Sequence, residues 1–147
     1  MGRVIESFSE NDTFSLAEQL ARKSQKGDVY ALTGDLGTGK TAFAKGFAKG
    51  LGISEPVISP TFTFLQVYEG GRLPLYHFDV YRIGDISEMD EIGYEDCFYG
   101  EGVSLVEWAD MISPILPENT VFVNMEKDLS KGDDYRKITI DNEDNSN

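Results

Sequence analysis

The stretch Gly34-Asp35-Leu36-Gly37-Thr38-Gly39-Lys40-Thr41 satisfies G-x-x-x-x-G-K-[ST], the spacing of a loop that wraps phosphates. Each residue type has a reason to be there. Glycines let successive backbone N–H groups turn inward as an anion-binding nest, and a helix starting at the loop's end adds the positive end of its dipole. Lys40 has the charge and reach to take β- and γ-phosphates, and the Thr41 hydroxyl is placed to ligate Mg²⁺. Ala42 follows directly and completes a nucleotide-binding set of residues 34–42. A random chain of this length holds the bare pattern roughly once in 200 cases, so its weight rests on having a strand before it and a helix after it.

Such a loop predicts a bound nucleoside triphosphate and leaves the reaction open. A second acidic group must help to hold the metal ion and the attacking water, usually at the end of a neighbouring strand. Asp79 closes Leu75-Tyr76-His77-Phe78, and Glu107 closes the more apolar Val103-Ser104-Leu105-Val106. Either is equally readable as a solvated charge at a strand end. Ser59-Pro60-Thr61-Phe62-Thr63 offers hydroxyls around a proline-fixed turn, which suits a switch loop sensing the γ-phosphate and also suits a polar turn entering a strand. Trp108 could stack on a nucleotide or a partner, although a lone Trp more often packs. His77 is the only histidine, so no histidine metal cluster can form, and in an aromatic strand it reads as structural. Cys97 is the only cysteine and reads as a small idle thiol, with no disulfide or CxxC pair available.

These side chains need elements to hold them. The run at 29–33 is continuously apolar, as expected of a strand buried on both faces. Residues 41–51 repeat Phe43, Phe47 and Leu51 every four positions, with Lys45 and Lys49 on another face, and Gly52 is a natural stop. Upstream, residues 3–8 predict a first strand, Ser9 to Asp12 supply N-cap chemistry, and 14–23 predict a helix. Downstream, 61–68 and 73–81 flank the turn Glu69-Gly70-Gly71-Arg72 as a hairpin. A short acidic helix is expected over 88–99 and a strand over 103–106. Pro114 and Pro117 bracket a turn, and late antiparallel strands follow at 121–125 and 135–140. The fold class is α/β with strand-rich additions. One ATPase-sized domain is expected over residues 1–140, with a disordered acidic tail at 141–147.

Bulk properties exclude other classes. The chain has 147 residues, enough for one core without disulfide or metal staples. No apolar run approaches a membrane span, no secretion signal opens the chain, and Glu6 breaks the myristoylation pattern that Gly2 begins. The expected location is the cytoplasm. A net charge of −13 repels nucleic-acid phosphates, so strong direct binding of RNA is not expected, and any partner in an RNA pathway would have to do the gripping. Guanine specificity is disfavoured because Asn124-Met125-Glu126-Lys127-Asp128 lacks the Asn-Lys-x-Asp spacing. Asp90-Glu91-Ile92-Gly93 does not follow a buried strand either. Past Lys49 only Arg72, Arg82 and Arg136 remain as arginines, which is thin for a kinase of phosphorylated metabolites. A kinase of an uncharged substrate and a nucleotide-sensing binding module remain alternatives to an ATPase.

Taken in order, the phosphate loop, Ser59-Pro60-Thr61-Phe62-Thr63, His77-Phe78-Asp79-Val80-Tyr81-Arg82 and Val106-Glu107-Trp108 resemble the TsaE (YjeE-type) family of bacterial P-loop ATPases. The resemblance spans about residues 10–136 and weakens past Met125. It implies a P-loop NTPase-like three-layer domain, a mixed sheet with antiparallel extensions. It also implies an ATP- or ADP-binding, Mg²⁺-dependent ATPase that supports threonylcarbamoyladenosine formation in tRNA together with TsaB and TsaD. By the same resemblance Lys40 holds phosphate, and Thr41 and Glu107 bind Mg²⁺ with Asp79 supporting the metal shell. Glu107 also orients water, Thr61 and Trp108 belong to switch-like segments, and Thr13 and Arg136 approach the nucleotide. Where the family commonly has proline after Glu-Trp, this chain has Ala109.

Overall fold

The computed structural model describes residues 2–34, 40–57 and 64–143. Seven strands form one mixed sheet in the order β1-β7-β6-β2-β5-β4-β3. They are β1 (Arg3–Ser7), β2 (Val29–Gly34), β3 (Leu65–Tyr68), β4 (Leu75–Asp79), β5 (Val103–Glu107), β6 (Val121–Lys127) and β7 (Arg136–Asp141). The centre is parallel: β6, β2, β5 and β4 run the same way. Antiparallel strands extend it on both sides, β3 on β4 at one edge and β7 then β1 at the other. The two late strands are antiparallel to each other, as the sequence predicts, while β6 also joins the parallel block through β2.

Helices α1 (Glu10–Lys23) and α2 (Lys40–Gly50) cover one face. Leu16, Leu20, Phe43 and Phe47 pack there on Tyr30, Leu32 and Leu105. Ser9 caps α1 by accepting from the Asp12 N–H, so the helix starts one turn before the apolar repeat that betrays it. The other face is covered by α3 (Ser87–Glu91), α4 (Tyr94–Phe98) and a 3-10 segment (Ala109–Ile115). Met89, Phe98 and Ile112 pack there on Phe78, Ala31 and Val106. The single acidic helix expected over 88–99 is two short ones, because Gly93 adopts φ of 72° between them, where a continuing helix cannot run. Pro114 lies inside the 3-10 segment rather than at a simple turn.

The predicted tail starts too early. Asp141 belongs to β7, the Asn142 amide donates to the carbonyls of Glu118 and Thr120, and Glu143 pairs with Arg3 at 3.0 Å. Only residues 144–147 of that segment lie outside the described residues.

Candidate functional site

Parallel strands feeding helices leave a crevice beyond the carboxyl ends of the strands. Two of the predicted residues arrive there by strand position alone, and two more by the start of a helix. Asp79 ends β4, Glu107 ends β5, and the two are register partners across the parallel ladder. Lys40 and Thr41 open α2, which follows β2, the strand beside β5. These four, with Ala42 and Trp108, line one cavity of about 940 Å³. Residues 35–39 of the phosphate loop and 59–63, the whole proposed switch segment with Thr61, lie outside the described residues.

The loop's first residue is described, and its identity is forced. Gly34 has φ of 117°, and a Cβ there would sit 2.0 Å from the Met125 carbonyl oxygen. No other side chain fits so close to β6. Lys40, at 6% exposure, carries its Nζ 3.8 Å from the centroid of the Trp108 ring, a cation–π contact. Trp108 itself holds a left-handed φ of 61°, uncommon for a bulky residue, which turns the chain from β5 into the 3-10 segment. Its ring lies 4.6 Å from that of Tyr81. The Trp is therefore engaged at the site and not only packed in the core.

The two carboxylates differ. Asp79 accepts from the Tyr81 N–H through Oδ1, and burial pushes its carboxyl above the usual aspartate range, with the neighbouring Glu107 adding to the rise. Glu107 is 5% exposed, and its Oε2 lies 2.5 Å from Nε2 of His77, which is fully buried. His77, Asp79 and Glu107 share one face of the sheet: positions two apart along β4 point the same way, and Asp79 is level with Glu107. The sequence reads His77 as structural, and this contact ties it to the Glu107 carboxylate. The spacing His77-x-Asp79 puts the imidazole on the face of the acid, but its pairing with Glu107 is set by the register of β4 on β5.

The two outlying nucleotide contacts are not brought to the cavity. Thr13 is buried on the side of α1 that faces β1, its hydroxyl 2.8 Å from that of Ser7. Arg136 begins β7, on the far side of the sheet order, and donates to the carbonyls of Asp133 and Tyr135. In place of Thr13, its α1 neighbours Glu10, Asn11 and Phe14 line the cavity, joined by Lys45 of α2. Successive helix positions differ by about 100°, so Thr13 turns toward β1 while Glu10, Asn11 and Phe14 turn toward the cavity. Cys97 is buried and its thiol is pushed up to about 11 by desolvation, in agreement with an idle thiol.

Comparison with known proteins places this geometry in a family. A family model described as "Threonylcarbamoyl adenosine biosynthesis protein TsaE" matches residues 7–138. The chain is 48% identical to the tRNA threonylcarbamoyladenosine biosynthesis protein TsaE of Bacillus subtilis over 129 residues, covering 88% of this chain and 78% of that protein. It is 44% identical to the protein of the same name from Treponema pallidum over 134 residues, covering 91% and 96%. The crystal structure of YdiB from Bacillus subtilis superposes with a TM-score of 0.81 at 40% identity, covering 95% of this chain and 84% of that one. The α/β fold, the order of motifs along the sequence and these matches lead to one statement: this chain belongs to the TsaE family.

Proposed function

We propose that the chain is an ATP-binding, Mg²⁺-dependent ATPase that supports the threonylcarbamoyladenosine modification of tRNA in the cytoplasm, acting with TsaB and TsaD. One observation carries the reading: Lys40 and Thr41 at the start of α2 line the same cavity as Asp79 and Glu107 from adjacent strand ends. The names of the relatives supply the pathway; the cavity supplies the chemistry.

The donor set fits magnesium. Thr41, Asp79 and Glu107 offer a hydroxyl and two carboxylates, hard oxygen ligands with no sulfur or open imidazole among them. Among the described residues no group of three His, Cys, Asp or Glu side chains could hold a metal alone. Mg²⁺ is normally bound this way, through one or two carboxylates with phosphates and waters completing the shell. Once bound, the ion would neutralise charge on the β- and γ-phosphates. Lys40 balances the same charge from the helix side. Glu107 orients the attacking water, and the half-buried Asp79 supports the metal shell.

No arginine lines the cavity among the described residues. Stabilising charge in the transition state therefore falls to Lys40 and the metal, and turnover by the isolated chain should be slow. TsaB and TsaD should raise it. Calorimetry with ATP and Mg²⁺ on the wild type and Lys40→Ala, followed by phosphate release with and without both partners, tests the proposal. Binding lost in Lys40→Ala and turnover raised by the partners are expected. No heat from ATP, with or without Mg²⁺, would overturn it, and transfer of phosphate to a metabolite in place of water would favour a kinase.

A further inference from the structure

His77 is costly to bury. The residue is 0% exposed, and Nδ1 has no hydrogen-bond partner among the described residues. A phenylalanine at that position would avoid desolvating two ring nitrogens. Among the described residues the one hydrogen-bond partner of the remaining nitrogen, Nε2, is Glu107 Oε2. Among the described residues no second hydrogen bond holds the Glu107 carboxylate. Asp79 is steadied differently, by the Tyr81 N–H two residues on.

We propose that His77 is a positioning residue for ATP hydrolysis: its Nε2–H donates to one oxygen of Glu107 and so fixes the rotamer in which the carboxylate meets the cavity. The inference rests on the ATPase reading above. A glutamate has three rotatable bonds, and among the described residues no other hydrogen bond restricts those of Glu107 at this strand end beside the cavity. The strand geometry supplies the brace. His77 stands level with Leu105, two residues before Glu107, and therefore approaches the carboxylate from the sheet side and leaves the cavity side clear. The brace requires a proton on Nε2, the nitrogen that faces Glu107.

Two measurements decide it. Because the chain has one histidine, a long-range ¹H–¹⁵N spectrum shows a single imidazole. In the nucleotide-free protein at neutral pH it should show a protonated Nε2 whose resonance moves in Glu107→Gln. A proton on Nδ1 with a bare Nε2, or a resonance indifferent to Glu107→Gln, overturns the proposal. In kinetics, His77→Leu should lower kcat roughly 10- to 100-fold, the usual effect of losing a group that orients a metal-site ligand, with ATP affinity changed by less than about threefold on the same argument. His77→Gln, whose amide N–H reaches the region of Nε2, should restore most of kcat. His77→Leu in a Glu107→Gln background should add little. Wild-type kcat in His77→Leu, no rescue by His77→Gln, or additive losses in the double variant each overturn the proposal. If His77→Leu fails to fold, His77→Gln and the spectrum still decide. A wild-type protein that binds no ATP sinks the ATPase reading and this inference with it, whereas normal wild-type turnover with a silent His77 sinks the inference alone.

Discussion

Strands β5 and β6 flank β2, both run parallel to it, and they have opposite characters. Every residue of β5 is buried, because α1 and α2 cover one face and α3, α4 and the 3-10 segment cover the other. Along β6 burial alternates: Val121, Val123 and Met125 are buried while Phe122 on the opposite face is partly exposed. A strand covered on both faces delivers its last residue into a low-dielectric, water-poor setting, where a carboxylate must be held by named partners. Glu107 is so held. A strand covered on one face delivers its charges to water, and Glu126 and Lys127 at the end of β6 are exposed. The same topology thus makes a chemical site on one side of β2 and a solvated flank on the other.

The largest effect should come at the seam between the two regions, where Gly34 meets Met125. Gly34→Ala combines a disallowed φ with a contact onto backbone that cannot move without breaking the β2–β6 ladder. Strain and overpacking each cost about 1–3 kcal/mol, so a loss of roughly 2–4 kcal/mol of stability is expected. Urea unfolding checks it; a midpoint equal to wild type would mean that the two strands do not constrain each other here.

On the β5 side, Glu107→Gln should lower ATP turnover about 100-fold, the lower range for losing a group that positions or accepts a proton. Nucleotide affinity should change only a few-fold, since on the proposed reading Lys40 and the helix terminus would supply most of the phosphate contact. Phosphate-release kinetics beside calorimetry separates the two. Equal losses in both would make Glu107 a binding group.

How far the sequence carried this comparison depends on the kind of signal. The continuous run at 29–33 and the four-residue repeat of Phe43 and Phe47 are one-dimensional, and β2 and α2 followed from them. Asp79 and Glu107 were found because each terminates an apolar run. Their register across the ladder was not legible, since pairing between β4 and β5 is a contact 28 residues apart that no local pattern encodes. The pairing of His77 with Glu107 was hidden for the same reason: its partner lies on another strand. Thr13 and Arg136 were drawn from a resemblance and not from a helix face or strand position, and neither reaches the cavity. The two short helices α3 and α4 were blurred into one because Gly93 was read without its left-handed φ.

Asp79 gives a smaller, pH-dependent contrast. Its folded-state carboxyl titrates above the ordinary aspartate value, chiefly through burial. Over the window between the ordinary value and the raised one, the folded protein holds more protons than the unfolded chain. Stability must therefore fall as pH rises through that window and stay lower above it. Asp79→Asn should remove this slope and melt higher than wild type at neutral pH without nucleotide or Mg²⁺, while lowering turnover. The gain should be smaller than the loss at Gly34, because the side chain is only half-buried and solvent screens it. Parallel melting curves of wild type and variant across the acidic range would refute this if their difference were constant.

The smallest effect is expected on the flank. Lys131 pairs with Glu6 at 3.2 Å, and Tyr135 donates to the same carboxylate at 2.8 Å. The Tyr135 hydrogen bond, followed by that from Lys131, holds the Glu6 carboxyl below its usual range, and the hydrogen bond to Glu6 in turn raises Lys131. The Glu6 contribution is complete above its unfolded value and is lost as pH falls through its lowered one. The Lys131 contribution is complete below its unfolded value and is lost as pH rises through its raised one, so both are present at neutrality. Yet both partners stand in water, where holding two mobile side chains in one geometry offsets most of the attraction. Lys131→Ala should leave ATP affinity and turnover unchanged and shift melting less than any variant above. About 1 M salt, which contracts the screening length to about 3 Å, should erase what shift there is. A several-fold change in turnover would show that the flank communicates with the β5 side, and the contrast between a buried chemical end and a solvated structural edge would then fail.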